Sequence, residues 1–214
     1  MFNKNIVNKI IRTLILSDFF LFFSVGLLAP IFAVFVLENI DNRIEVIGYA
    51  VSCYWVTRVI LVMPFSRLMD KLKGEVDEYF FIIIGTLLIS LIPIFYALSS
   101  RPEHIYLVQV LNGFANAMAV PAWRIIFTRH VDRRIVGFEW SLEDVGVGVA
   151  TASSAAIGAL IVERFGFDTL FGVMSFWGVV STLILLTLNS KKSILRDLID
   201  GRKDQAPLKI DTFK

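Results

Sequence analysis

The chain has 214 residues, of which 56% are hydrophobic and 19% are charged. A soluble domain averages about 45–50% apolar and about 25% charged residues, so this composition favours a membrane protein. The net charge of +2 is too small to indicate a nucleic-acid partner, and a lone cysteine, Cys53, excludes a disulfide within one chain.

Six apolar segments are long enough to cross a bilayer, which takes about 20 helical residues. In chain order they cover 13–37, 44–66, 79–98, 104–128, 139–162 and 168–188. Turn-forming and charged residues fill each gap, including a polar loop from residue 67 to residue 78. We predict an all-α membrane protein with a six-helix transmembrane domain over 1–188 and a polar tail over 189–214. The first segment is too long for a signal-peptide core and is expected to be retained.

The distribution of Lys and Arg predicts the orientation of the spans. If the N-terminus is inside, 17 of the 21 Lys and Arg residues lie on the cytoplasmic side. The outside loops then hold only Arg43, Arg101 and Arg164, while Arg58 lies within a span. The positive-inside rule therefore predicts a multi-pass protein of the plasma (inner) membrane with both termini in the cytoplasm.

Ionisable residues inside spans are costly and mark candidate functional sites. Asp18 lies roughly 9 Å into the first span and Arg58 roughly 12 Å into the second, both measured from the inner side. An Asp18–Arg58 ion pair is therefore geometrically possible. Together with Arg124, Glu143 and Asp144 near the inner ends of the fourth and fifth spans, these residues predict an inner charge network.

Two interpretations of Asp18 remain open. It could be a proton-coupling carboxylate whose pKa changes as its access to water changes, or a structural partner that stays ionised against Arg58. Glu143 and Asp144 could equally be acids at a helix start that are stabilised by the helix dipole.

Polar side chains deeper in the spans predict a substrate cavity. Asn112 and Asn116 are one helical turn apart in the fourth span and share a face. Gln109 of the same span and Tyr54 of the second span are further polar residues inside spans. The alternative for the asparagines is hydrogen bonding between helices. The chain shows no paired catalytic carboxylates, no nucleophile with a base and no metal-ligand cluster, so neither an enzyme nor a cofactor or metal site is predicted.

Several motifs resemble those of the major facilitator superfamily. The loop after the second span contains Ser66, Asp70 and Lys71, which match the small residue, the Asp and the basic residue of the family's signature loop. The first span carries GLLAPIFAVFV (26–36), similar to the family's Gly-Leu-x-x-Pro pattern.

Two further elements are similar with substitutions. Gln109 replaces the Arg of an Arg-x-x-x-Gly element in the fourth span. Ala155 replaces the Pro of a Gly-Pro-x-x-Gly-Gly element in the fifth.

The resemblance implies one six-helix half of a twelve-helix transporter fold, in which the loop with Ser66, Asp70 and Lys71 acts as a gate. The two halves of that fold are related by an axis along the membrane normal, which is also the symmetry of a parallel homodimer. The expected function is secondary transport of small molecules by alternating access, as a homodimer in the lipid bilayer, with proton-coupled efflux as one form. The alternatives are a half-transporter that pairs with a different six-helix partner and a membrane scaffold that does not transport.

Overall fold

The structure is a computed structural model that describes residues 7–71 and 76–188. Every long element in this part of the chain is helical, and it contains no strand. The helices are α1 (Lys9–Gly26), α2 (Phe32–Asn39), α3 (Ile44–Lys71), α4 (Val76–Ala97), α5 (Pro102–His130) and α6 (Val136–Leu186). The predicted all-α membrane fold is therefore confirmed, with two differences in how the spans are built.

The first predicted span is not one continuous helix. A short 3₁₀ turn (Ala29–Ile31) separates α1 from α2, and Pro30 lies inside this turn. Because proline has no N–H and its ring clashes with the preceding turn, it interrupts an α-helix at this point. The whole stretch Lys9–Asn39 is still long and apolar enough to cross a membrane.

The last helix contains the fifth and sixth predicted spans. α6 has 51 residues, which would measure about 76 Å if straight and would exceed the bilayer core more than twofold. Its backbone leaves the helical conformation at Gly166, where φ is 77° and ψ is 175°. Arm 136–165 and arm 167–186 therefore meet at this glycine, and the loop predicted around it is reduced to a single non-helical residue.

Contacts with α1 show that the two arms of α6 run in opposite directions. Along the first arm, Gly146 faces Ile15 and Gly158 faces Leu27, so this arm runs in the same direction as α1. Along the second arm, Ser181 bonds to Ser17 whereas the earlier residue Met174 bonds to Ser24, so this arm runs in the opposite direction. The predicted count of six spans thus agrees with five long helices, of which the last is folded back on itself.

The predicted loop after the second span is shorter than expected. α3 continues to Lys71 and α4 begins at Val76, so Ser66, Asp70 and Lys71 belong to the last turns of a helix rather than to a loop. The predicted tail over 189–214 lies outside the described residues.

Small residues bring the helices close together, as expected where apolar lipid supplies no hydrophobic drive between them. α1 packs on α6, α3 packs on α5, and α4 packs on both α5 and α6. A Cβ added at Gly85 would lie 2.8 Å from Ala119 Cβ, and one added at Gly178 would lie 2.7 Å from Ser90 Oγ. Two larger hydrophobic clusters fill the ends of the bundle, and a smaller one of Ile89, Ala115 and Ala119 lies between them.

Candidate functional site

A cavity of about 560 Å³ lies between α1, α3, α4, α5 and α6. Most of its wall is apolar, and Phe22 and Val25 in its lining are also exposed, so the cavity opens to the surface of the bundle. Its polar and ionisable lining consists of Ser17, Asp18, Ser24, Tyr54, Arg58, Thr86, Tyr96, Gln109, Asn112, Asn116, Trp123, Arg124 and Glu143.

All four residues predicted for a substrate cavity line this space: Tyr54, Gln109, Asn112 and Asn116. The Asn116 amide donates to Asn112 Oδ1 at 2.9 Å and to the Asn112 carbonyl at 3.0 Å. Both bonds lie within α5 and occupy the Asn116 amide nitrogen, while the Asn112 side chain also interacts with Tyr96 of α4. Contact with a substrate stays a prediction.

Arg58 is fixed by two aromatic residues of its own helix. Its Nη1 donates to the Tyr54 hydroxyl at 3.0 Å, and its guanidinium carbon lies 5.1 Å from the centre of the Trp55 ring. α3 and α5 approach each other closely at this point. A Cβ added at Gly113 would lie 2.5 Å from the Tyr54 carbonyl oxygen and 3.3 Å from the Arg58 backbone nitrogen. Glycine at 113 therefore places Arg58 beside the amides of α5.

The possible Asp18–Arg58 ion pair does not form in the described part of the structure. Both residues line the cavity, but no nitrogen of Arg58 lies within 4 Å of an Asp18 oxygen, and Arg58 contacts Tyr54 and Trp55 instead. Of the other predicted network members, Arg124 and Glu143 line the cavity and Asp144 is exposed outside it. Glu143 interacts electrostatically with Asp18, Arg124 and Asp144, so the inner charge network stays a prediction in which Arg58 is not paired with Asp18.

The predicted gate residues occupy the end of α3. Ser66 Oγ donates to the Val62 carbonyl at 2.8 Å, and both Asp70 and Lys71 are exposed. Among the described residues, Asp70 makes no ion pair or hydrogen bond to a neighbouring helix. Its role in a gate stays a prediction.

An ion pair that the sequence did not suggest joins α4 to α5. Arg129 Nη1 lies 2.8 Å from Glu78 Oε1, and the Glu78 side chain is fully buried. The sequence shows Glu78 as a carboxylate at the start of an apolar run, but its partner Arg129 is 51 positions away.

A second buried carboxylate lies at the start of α6. Glu139 accepts a hydrogen bond from the Asp132 N–H at 2.7 Å and so connects the first turn of α6 to the turn that precedes it.

Comparison with known proteins agrees with this architecture. The Major Facilitator Superfamily profile matches residues 14–209, which is most of the chain. The chain belongs to the Major Facilitator Superfamily. Membership of this superfamily makes the chain a multi-pass membrane protein and points to a transporter rather than an enzyme.

One relative is the multidrug resistance protein MdtG of Klebsiella pneumoniae (strain 342). It is 25% identical over 188 residues, which cover 83% of this chain and 44% of that protein. The chain thus spans about half the length of the curated relative it matches. At this identity the comparison supports the superfamily assignment and leaves the substrate open.

Proposed function

We propose that this chain is a secondary transporter of small molecules that works by alternating access around the central cavity. The observation that carries the proposal is the polar lining of that cavity, which includes Gln109, Asn112 and Asn116 together with two ionisable residues, Asp18 and Arg58. Polar groups inside a bilayer cost free energy, so their convergence on one space favours a substrate site over a scaffold.

The substrates proposed are amphipathic organic compounds, moved out of the cell. Most of the cavity wall is apolar, and the polar side chains among its lining residues can orient a ligand, as in typical small-molecule sites. The name of the relative, a multidrug resistance protein, supports the same class of compound and the same direction.

The partner proposed is a second copy of the chain, inserted in parallel. α3 buries only Val46, Ala50 and Met69 among its described residues and exposes large side chains such as Trp55 and Ile60. An exposed face of this kind can contact either lipid or another six-helix half. Two copies related by an axis along the membrane normal would reproduce the symmetry of the superfamily's two halves.

Proton coupling is proposed to reside in Asp18. The residue is buried and lines the cavity, and it lacks the Arg58 partner that would keep it ionised throughout a cycle. Asp18→Asn is expected to abolish proton flux coupled to transport in proteoliposomes. Unchanged coupled transport in this variant would exclude the role.

Transport itself is tested with purified protein in proteoliposomes and a fluorescent amphipathic substrate. Asn112→Ala and Asn116→Ala are each expected to lower uptake roughly twofold to tenfold, since one hydrogen bond contributes about 0.5–1.5 kcal/mol. Ser100→Ala, at an exposed position outside the cavity, is the matched control. No uptake above that of empty vesicles by the unsubstituted protein would contradict the transport proposal.

The oligomeric state is tested on the chain purified alone. Native mass spectrometry or cryo-electron microscopy in nanodiscs is expected to show a symmetric dimer with the cavity on its axis. A strictly monomeric particle would contradict the homodimer, and recovery of activity only with a different six-helix protein would identify a heterologous partner.

A further inference from the structure

Arg58 is a cation near the middle of a transmembrane helix. It lies about 20 Å from either end of α3 at a rise of 1.5 Å per residue. A charged side chain at this depth is expensive and is retained where it faces a partner or a water-filled cavity. The groups that surround Arg58 therefore indicate which kind of ligand the cavity can bind.

No carboxylate neutralises Arg58 in the described part of the chain, where the three ion pairs involve Arg43 and Arg129. Of its five N–H donors, one goes to the Tyr54 hydroxyl. The rings of Trp55 and Tyr54, at 5.1 Å and 5.9 Å, stabilise the cation without accepting a conventional hydrogen bond. The guanidinium is therefore held in place with most of its hydrogen-bonding capacity unused.

The two sides of the cavity differ in charge. The side formed by α3 and α5 carries Arg58 and Arg124 together with the amides of Gln109, Asn112 and Asn116. The side formed by α1 and α6 carries the carboxyl groups of Asp18 and Glu143. An acidic group of a ligand would be attracted to the first side, where a planar guanidinium can bind two oxygen atoms at once.

We propose that Arg58 is the binding residue for the acidic group of an amphipathic organic anion, whose apolar body lies against the hydrophobic cavity wall. This inference rests on the proposed function, because it assigns a substrate class to the same cavity. The acidic group would be a carboxylate, sulfonate or phosphonate, all of which present oxygen pairs to the guanidinium.

The experiment uses the full chain in nanodiscs and three ligands that share one aromatic body. 1-Naphthylacetate carries a negative charge, 1-naphthylacetamide is neutral and 1-naphthylmethylamine is positively charged. Isothermal titration is expected to show that the anion binds roughly tenfold to hundredfold tighter than the amide, as a hydrogen bond to a charged group allows. The amine is expected to bind no better than the amide.

Two substitutions of Arg58 separate charge from geometry. Arg58→Gln is expected to remove the preference for the anion and to leave the affinity for the amide within about threefold, because only the charge-assisted bonds are lost. Arg58→Lys keeps the charge but not the fork of donors, so part of the preference should remain. Arg101→Gln makes the same charge change at an exposed position before α5 and should leave all three affinities unchanged.

A double variant distinguishes ligand binding from an internal role. If Arg58 served only to neutralise Asp18, Asp18→Asn combined with Arg58→Gln would restore anion binding to the level of the unsubstituted protein. We expect no such rescue, because the guanidinium itself contacts the ligand. Rescue would overturn the inference.

The remaining outcomes separate this inference from the transport proposal. Binding of the amine or the amide as tightly as the anion overturns the anion assignment and leaves a small-molecule cavity in place. Binding of none of the three ligands by the unsubstituted protein overturns both. An anion preference that survives Arg58→Gln in a folded protein assigns the acidic group to another residue and also overturns the inference.

Discussion

Asp18 and Arg58 have matching depths in the membrane but different surroundings. Depth follows from counting residues along a helix, and both side chains line one cavity. It does not give the rotation of each helix about its axis, which decides what a side chain faces. Arg58 faces Tyr54 and Trp55, so equal depth did not produce an ion pair.

Glu78 and Arg129 show the opposite case, in which packing brings together two charges that the sequence separates. The Glu78 side chain is fully buried, while that of Arg129 is 29% exposed. Removal of the cation would leave a buried carboxylate without its charged partner, which is more costly than removal of the whole pair.

We expect Arg129→Gln to destabilise the protein by about 1–3 kcal/mol, below the full cost of breaking a buried pair because Arg129 is partly exposed. Glu78→Gln combined with Arg129→Gln should recover part of the loss. Thermal unfolding in detergent measures both effects. A double variant less stable than Arg129→Gln alone would show that the pair does not act as described.

At the scale of the helices, the close contact between the end of α1 and the first arm of α6 requires glycine at position 158. A Cβ at Gly158 would lie 2.8 Å from the Leu27 carbonyl carbon and 2.9 Å from its Cα, both of which are backbone atoms. At Gly148, on the same arm, an added Cβ would meet nothing within 4 Å. The two glycines therefore form a matched pair.

Gly158→Ala is expected to lower stability by about 1–3 kcal/mol, because the backbones of two helices must move apart to relieve the overlap. Gly148→Ala should be neutral or slightly stabilising, because alanine favours the helix over glycine by about 0.5–1 kcal/mol. Melting temperatures of the two variants test this pair. Equal melting temperatures would mean that α1 and α6 do not approach as closely as described.

The turn that divides α6 into two spans also depends on one glycine. Gly166 has φ of 77° and ψ of 175°, a conformation that residues with a Cβ rarely adopt. A side chain there would favour continuation of the helix, and the continuous helix would be too long for the bilayer.

Gly166→Ala is expected to cost about 1–3 kcal/mol and to lower the yield of folded protein in the membrane. Gly172→Ala is the control, since this helical glycine has no neighbour within 4 Å of an added Cβ. Fluorescence-detected size-exclusion chromatography compares the folded fractions. Normal yield and stability of Gly166→Ala would contradict a conformation restricted to glycine.

For the whole molecule, the charge distribution predicts which loops face the cytoplasm. Ser100 and Arg133 are exposed residues in connections at opposite ends of α5. They must therefore lie on opposite sides of the membrane, and the positive-inside rule places Arg133 inside.

In a Cys53→Ser background, Ser100→Cys is expected to react with a membrane-impermeant maleimide added to intact cells, because its loop faces outwards. Arg133→Cys should react only after the membrane is made permeable. Labelling of Arg133→Cys in intact cells, with Ser100→Cys protected, would reverse the proposed orientation of both termini.

The amino-acid sequence by itself determined the helices and the membrane class. Each span must satisfy its own backbone hydrogen bonds in lipid, so a local apolar run is sufficient to define it. The sequence also placed Asn112 and Asn116 towards a common space, because residues one turn apart share a helix face.

Tertiary structure alone decided which of these groups meet. The closeness of α3 to α5 at Gly113 and of α1 to α6 at Gly158 fixes how each helix is rotated and shifted against its neighbours. That arrangement leaves Arg58 without a carboxylate partner among the described residues, joins Glu78 to Arg129 across 51 positions and leaves Asp144 outside the cavity. Rotation and register depend on contacts between distant segments, which a local pattern along one helix does not contain.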